Sequence, residues 1–102
     1  MMDYAVQSTD QGLNISLTGR MTLIDHDKFR AVVDSIERLN GGICIFDLRG
    51  LEFIDSSGLG MFLIARDVAQ PKGVDIQLLG AQDAVRRILQ IAKFHTLFKI
   101  AP

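Results

Sequence analysis

Three consecutive polar residues, Asp55, Ser56 and Ser57, carry the groups of this chain best placed to do chemistry. They lie in the stretch LEFIDSSGLG, whose two glycines, Gly58 and Gly60, fall where an apolar helix is expected to begin. A serine hydroxyl in such a place serves as a catalytic nucleophile, as a helix cap or as an acceptor of phosphate. The rest of the sequence discriminates between these roles.

A catalytic role finds no support elsewhere in the chain. The nucleophile elbow of hydrolases has a glycine two residues before the serine, and neither serine here has one. No lysine follows the glycines, as it would in a phosphate-binding loop. His26, His95 and Cys44 do not cluster at the spacing of metal ligands. We therefore predict a protein that is not an enzyme and holds no metal or cofactor, with Cys44 as a core residue.

Composition excludes several classes of partner. The chain has 102 residues, of which 48% are hydrophobic, so residues 1–102 are expected to form a single domain with a full core. The formal net charge of -1 argues against a nucleic-acid-binding protein. No apolar run approaches the roughly 20 residues of a membrane helix, and no secretory signal is evident. With a single cysteine, these features favour a cytoplasmic protein that neither binds nucleic acid nor inserts into a membrane.

Alternation of apolar residues predicts β-strands within residues 4–8, 13–17 and 74–78. The tripeptide DQG (residues 10–12) predicts a hairpin turn between the first two strands, and Gly19 is expected to end the second. The run ICIFDL (residues 43–48) is apolar almost throughout, which predicts a central strand buried on both faces. The RGLEF segment after it is expected to be a loop.

Apolar residues at helical spacing predict helices near residues 29–39, 57–69 and 85–92. Thr22 and Asp25 have the spacing of a capping box in front of the first helix. The predicted order is β-β-α-β-α-β-α, and the final LFKI is either a short strand or a packed tail. Helices between strands imply crossovers and a partly parallel sheet, which the initial hairpin makes mixed. The fold class is therefore α/β.

The simplest interpretation of Asp55, Ser56 and Ser57 is that they only begin the second helix, since all three are favourable N-cap residues. One cap would suffice, however, and the two glycines weaken the helix while allowing another chain close to its backbone. This helix is also apolar on two sides, with Leu59, Phe62 and Leu63 on one and Met61, Ile64, Ala65 and Val68 on the other. One side faces the sheet; part of the other faces either a partner or a second layer.

The segment FDLRGLEFIDSSGLGMFLIA resembles the signature of STAS domains, and specifically of stand-alone anti-sigma factor antagonists. The segments LTGRMT and LGAQDAVRRILQIAKFHTLFKI are similar to other parts of that family, so the resemblance covers essentially the whole chain. It implies a small mixed sheet with helices packed mainly on one side. It also implies a binding protein that is not itself an enzyme.

The resemblance further implies a phosphorylation switch. The unmodified protein would bind an anti-sigma factor, usually a serine kinase of the histidine-kinase-like ATPase type, and so free the sigma factor. The kinase would phosphorylate Ser56, directly after Asp55, with Ser57 the less favoured site, and a serine phosphatase would reverse the modification. The expected partner-binding residues are Arg20, Thr22, Asp25, Asp55, Ser57, Gly58, Leu59, Gly60, Met61 and Ile64.

One position departs from the family pattern. Many members carry an acidic residue where this chain has Thr22, and Asp25 or Asp27 could take its place. The alternative hypothesis is a STAS scaffold that is not phosphorylated, as a subunit of a transport or signalling complex. A small-ligand- or nucleotide-binding domain is a third hypothesis, which the glycines permit but no base, metal ligand or phosphate-binding lysine supports.

Overall fold

A computed structural model describes residues 1–102 of the protein. Its single sheet has five strands in the spatial order of the chain: β1 (Met2–Thr9), β2 (Gly12–Met21), β3 (Gly42–Ile54), β4 (Val74–Leu79) and β5 (Lys99–Ala101). β1 is antiparallel to β2, and the other neighbours are parallel. The predicted hairpin is present, and the final LFKI contributes to a short edge strand.

Three helices connect the parallel strands: α1 (His26–Glu37), α2 (Ser56–Ala69) and α3 (Asp83–Ile91). Each crossover moves one strand in the same direction across the sheet. Because crossovers between parallel strands are right-handed, the three helices lie on the same side of the sheet. This confirms the predicted mixed α/β fold with helices on one side.

The helices and one sheet face enclose a single hydrophobic core. At its centre the rings of Phe29, Phe46 and Phe62 join α1, β3 and α2, with centroids 5.2 to 6.0 Å apart. Such aromatic pairs fix the relative positions of the elements that carry them. Cys44 lies in the same core, where burial raises the pKa of its thiol to about 12.

Three predictions about the central strands are wrong. Ile43 and Ile45 are half-buried rather than buried, because no helix covers the second face of the sheet. The RGLEF segment continues β3 instead of forming a loop, and β2 runs past Gly19 to Met21. Register shifts between β2 and β3 keep these irregular segments paired. Both strands therefore extend to the start of α2.

Candidate functional site

Asp55 is the residue that begins helix α2. Its backbone is extended and its side-chain Oδ1 accepts a hydrogen bond from the amide of Gly58 at 2.9 Å. Its own amide donates to the carbonyl of Met21 at 3.2 Å, at the end of β2. The side chain of Asp55 therefore caps the helix, and its backbone ties the start of the helix to the sheet.

Ser56 and Ser57 occupy the first turn of α2 without capping it. Ser56 is exposed and Ser57 is half-buried, and neither hydroxyl makes a hydrogen bond within the chain. Since Asp55 alone supplies the cap, the interpretation of the two serines as helix caps is wrong. The Ser56 hydroxyl is therefore exposed and without a partner in the fold, beside the positive end of the helix dipole.

The two glycines have different roles. A Cβ added at Gly58 would lie 2.5 Å from Cγ1 of Ile54 and 3.0 Å from the carbonyl oxygen of Met21, so this position is closed by packing against the sheet. A Cβ at Gly60 would meet nothing within 4 Å. Gly58 is thus needed to seat the helix, whereas no contact within the fold requires Gly60.

Both apolar sides of α2 are divided between the core and the surface, so the expectation that one whole side faces the sheet is wrong. Met61 is only 2% exposed and packs in the core, so its side chain is not available to a partner, contrary to the sequence prediction. Ile64 is 45% exposed and Leu63 is 37% exposed, while Leu59 is half-buried. Ile64 lies four residues after Gly60, so the two share one face of the helix.

Ile64 also lines a groove between α1 and α2. The groove has a volume of about 260 Å³. Its other lining residues are His26, Phe29, Arg30, Val33 and Met61. An apolar floor with polar residues along its α1 side would suit a side chain from another protein.

The turn after β2 adds two exposed apolar residues that the sequence analysis missed. Leu23 and Ile24 form a 3-10 turn before α1 and are 66% and 74% exposed. They follow Met21, which contacts Asp55 at the start of α2, so this turn and the Ser56 region are neighbours. Residues in a turn have no periodic pattern, so the sequence analysis passed over them. Two adjacent aliphatic residues in a turn could still have indicated an exposed apolar patch.

Asp25 does not belong to this surface. Its side chain is 2% exposed, and its carboxylate accepts hydrogen bonds from the amides of Met2 and Thr22, each at 2.9 Å. Burial acts to raise the pKa of this carboxyl, but the two amides, together with the charges of the N-terminus and Lys28, hold the pKa below its ordinary value. The carboxylate of Asp25 is therefore not available to a partner, whereas Asp27 is exposed.

Arg20 lies at the end of β2 with its guanidinium 4.3 Å from the centroid of the Phe53 ring. This cation–π contact holds the exposed charge of Arg20 against Phe53 of β3, the strand that precedes Ser56. Thr22 is half-buried beside it, and its amide is taken by Asp25. His26 and His95 are both exposed and lie on different elements of the fold.

A family model for the STAS domain matches residues 3–102. The chain belongs to the STAS domain family. A STAS-domain containing protein of Pseudomonas aeruginosa (strain UCBPP-PA14) is 39% identical to it, over 95% of this chain and 96% of that protein. An anti-sigma F factor antagonist of Paenibacillus polymyxa is 31% identical, over 88% of this chain and 75% of that protein.

Solved structures carry the same STAS fold. The unphosphorylated form of the anti-sigma factor antagonist SpoIIAA has a TM-score of 0.79 at 22% identity, and the comparison covers 98% of this chain and 89% of that one. The phosphorylated form of SpoIIAA from Bacillus has a TM-score of 0.72 at 19% identity, with 98% and 92% covered. None of the helices of this STAS domain combines the length and apolar character needed to cross a membrane.

Proposed function

We propose that this STAS domain is a cytoplasmic anti-sigma factor antagonist that binds its anti-sigma factor through the surface around Ser56 and loses that binding when Ser56 is phosphorylated. The observation that carries the proposal is the free, exposed hydroxyl of Ser56 at the start of a helix already capped by Asp55. The 31% identical antagonist of Paenibacillus polymyxa supports the same class of function.

The proposed reaction makes this chain a substrate and not a catalyst. An anti-sigma factor that is also a serine kinase, of the histidine-kinase-like ATPase type, transfers the γ-phosphoryl group of ATP to Oγ of Ser56. A new O–P bond forms, ADP leaves, and the hydroxyl proton passes to a base on the kinase. A serine phosphatase later hydrolyses the phosphate ester and restores the binding form.

We define the docking surface as Ser56 together with its exposed and half-buried neighbours on β2, α2 and the turn before α1. Its other members are Arg20, Thr22, Leu23, Ile24, Asp55, Ser57, Leu59, Gly60 and Ile64. Three of these, Leu23, Ile24 and Ile64, expose large aliphatic side chains that a partner would remove from water. The buried residues Asp25, Gly58 and Met61 position this surface without forming part of it.

Phosphate affects the fold and the partner differently. At the first residue of α2 a phosphate group of about -1.5 to -2 charge is accepted by the free amides and the dipole of the helix. A docked partner would instead bury that charge next to Asp55 and the aliphatic residues. Desolvation and repulsion then oppose docking, so the same modification leaves the fold intact and releases the partner.

Gly60 supports close docking of another chain. It weakens α2 by about 1 kcal/mol relative to alanine, and the packing of the protein offers no reason for it. A helix face with no side chain at this position lets a partner backbone approach between Ser57 and Ile64.

The modification is tested by phosphosite mapping of the protein purified from its native host during growth and under stress. Trypsin cleavage after Arg49 and Arg66 releases residues 50–66, whose only hydroxyl amino acids are Ser56 and Ser57. We expect one phosphate on Ser56, with an occupancy that changes with condition and disappears in a Ser56→Ala strain. A peptide that stays unmodified under every condition would overturn the switch and favour the permanent scaffold.

The binding step is tested by capturing the kinase from the host with immobilised variants. Ser56→Ala should retain the kinase with and without ATP, whereas Ser56→Asp should lose most of it. Asn40→Asp is the matched control, because it adds the same charge at an exposed residue before β3, at the opposite end of that strand from Ser56. Equal capture by Ser56→Ala and Ser56→Asp would contradict the proposed release.

A further inference from the structure

β1 is an edge strand whose backbone pairs with β2 on one side only. The amide of Arg20 donates to the carbonyl of Met1 at 3.4 Å, which makes these two residues a hydrogen-bonded pair. In an antiparallel ladder every second residue directs its amide and carbonyl to the same side. From this register, Asp3, Ala5 and Gln7 bond to β2, and the even-numbered residues face outward.

The outward-facing amide and carbonyl of Met2, the first such residue, already have hydrogen-bond partners within the fold. The amide of Met2 donates to Oδ1 of Asp25, and the carbonyl of Met2 accepts from Nζ of Lys28, both at 2.9 Å. The α1 region thereby closes the edge at one end. The outward amides and carbonyls of Tyr4, Val6 and Ser8 receive no such side-chain partner from the protein.

The open part of the edge also exposes apolar side chains. Tyr4 and Val6 pair with Leu17 and Ile15, so they project from the face of the sheet that carries the helices. They are nevertheless 37% and 39% exposed, since the helical layer covers β1 only at Met2. The strand contains neither proline nor lysine, which are common devices that protect an edge against pairing.

We propose that β1 pairs antiparallel with β1 of a second copy of this chain, with Val6 opposite Val6 on a two-fold axis. This register places Tyr4 opposite Ser8 of the second copy. The outward amides and carbonyls of Tyr4, Val6 and Ser8 in one strand then hydrogen-bond with those of the other strand. The result is a continuous ten-stranded sheet. Tyr4 and Val6 of both copies pack together on its helical face.

Charge complementarity supports the same register. Asp10 of the second copy lies opposite Met2, whose carbonyl accepts a hydrogen bond from Nζ of Lys28, an ammonium group that also lies 3.4 Å from Oδ1 of Asp3 in its own chain. Asp3 lies opposite Thr9 of the second copy, so no like charges face each other directly. Met2, whose outward amide and carbonyl are already bonded within its own chain, therefore lies opposite the hairpin turn of the second copy and needs no hydrogen bond from its β1.

The interface is small because three open residues a side bury much less than the roughly 1,200 Å² of a standard interface. The dimer is therefore weak and concentration-dependent. It does not use the docking surface, so it stands independently of the proposed phosphorylation.

Single-cysteine cross-linking tests the register directly. Cys44 is buried, which leaves an introduced cysteine as the exposed thiol. In Val6→Cys the two Cα atoms would be about 5.5 Å apart, within the range of a disulfide. In Ser8→Cys, the matched control, the two thiols would be four residues apart, or about 14 Å. We expect mild oxidation to convert most of Val6→Cys to a covalent dimer at least ten times faster than Ser8→Cys.

Sedimentation equilibrium of the unmodified protein and two lysine variants tests the interface without a cross-link. Val6→Lys places like charges on the axis and should weaken dimerisation at least tenfold. Gln7→Lys adds the same charge on the other face, opposite Ala5 of the second copy, and should leave the dimer intact. Circular dichroism checks that both variants fold. A protein that remains monomeric at millimolar concentration, or equal cross-linking at positions 6 and 8, would overturn the proposal.

Discussion

The carboxylate of Asp55 accepts a hydrogen bond from the amide of Gly58 at 2.9 Å, and this contact caps helix α2. Because the cap comes from the aspartate, the hydroxyl of Ser56 is left without a partner in the fold. The contact separates two functions that the sequence places side by side. Asp55 caps the helix, and the Ser56 hydroxyl remains exposed, as the proposed phosphorylation requires.

Asp55→Ala should lower the free energy of unfolding by about 1 kcal/mol, because it removes an N-cap. Ser56→Ala should change it by less than about 0.5 kcal/mol, since the hydroxyl is exposed and unbonded. Urea unfolding followed by circular dichroism measures both. Equal losses in the two variants would mean that Ser56 shares the cap.

Gly58→Ala and Gly60→Ala are expected to have opposite effects on stability. The new methyl group at position 58 would collide with Ile54 and the Met21 carbonyl, so we expect a loss of about 1–3 kcal/mol. At position 60 the methyl group meets open space, and the better helix propensity should add up to about 1 kcal/mol. Thermal and urea unfolding measure whether each substitution raises or lowers the stability of the protein.

The same pair separates stability from binding. Gly60→Ala should weaken capture of the kinase although it stabilises the protein, because the added side chain occupies the docking surface. Unchanged capture by Gly60→Ala would remove this residue from the docking surface and leave the glycine unexplained.

The stability of the protein should depend on pH through Asp25. Its pKa is lower in the folded state than the ordinary value of 3.8, so folding favours the ionised form. The resulting stabilisation is present above the ordinary pKa and is lost as the pH falls through the lower folded-state value. Asp25→Asn should reduce stability at neutral pH and flatten the loss below about pH 4.

Unfolding in urea at several pH values between 2 and 7 measures this dependence. Asp67→Asn is the matched control, since Asp67 is exposed and its carboxylate accepts no hydrogen bond from the chain. An acid transition of the same steepness in Asp25→Asn and the parent protein would contradict the role assigned to Asp25.

Cys44 should resist alkylation in the native protein. Its thiol is fully buried and has a pKa of about 12, so very little thiolate is present or reachable at pH 8. N-ethylmaleimide should react only when the protein opens, at a rate that rises with urea. Ser56→Cys supplies the control, because a thiol at that exposed position should react within the normal time of a free cysteine. Rapid labelling of Cys44 without denaturant would contradict the packing of β3.

Local patterns were enough to predict the elements and their order, whereas Ser56 as the phosphorylated residue is a prediction that rests on the family resemblance. They could not separate residues that look equivalent in the sequence. Gly58 and Gly60, or Met61 and Ile64, differ only in which side of α2 contacts β3, and that is set by tertiary packing. Asp25 was assigned to the surface because its partner, the Met2 amide, lies 23 residues away. The extension of β3 through RGLEF depends on its pairing with β2, which also lies outside any local window.

The pairing of Asp55 with Met21 has a consequence for how Ser56 is recognised. The serine follows directly on β3, and its surroundings come from β2, the turn at Leu23 and α2, which are distant in sequence. The proposed kinase would therefore meet a three-dimensional epitope and not a linear motif. A synthetic peptide spanning residues 50–66 would contain every atom of the acceptor site and yet be a poor substrate, since only the folded domain assembles the epitope.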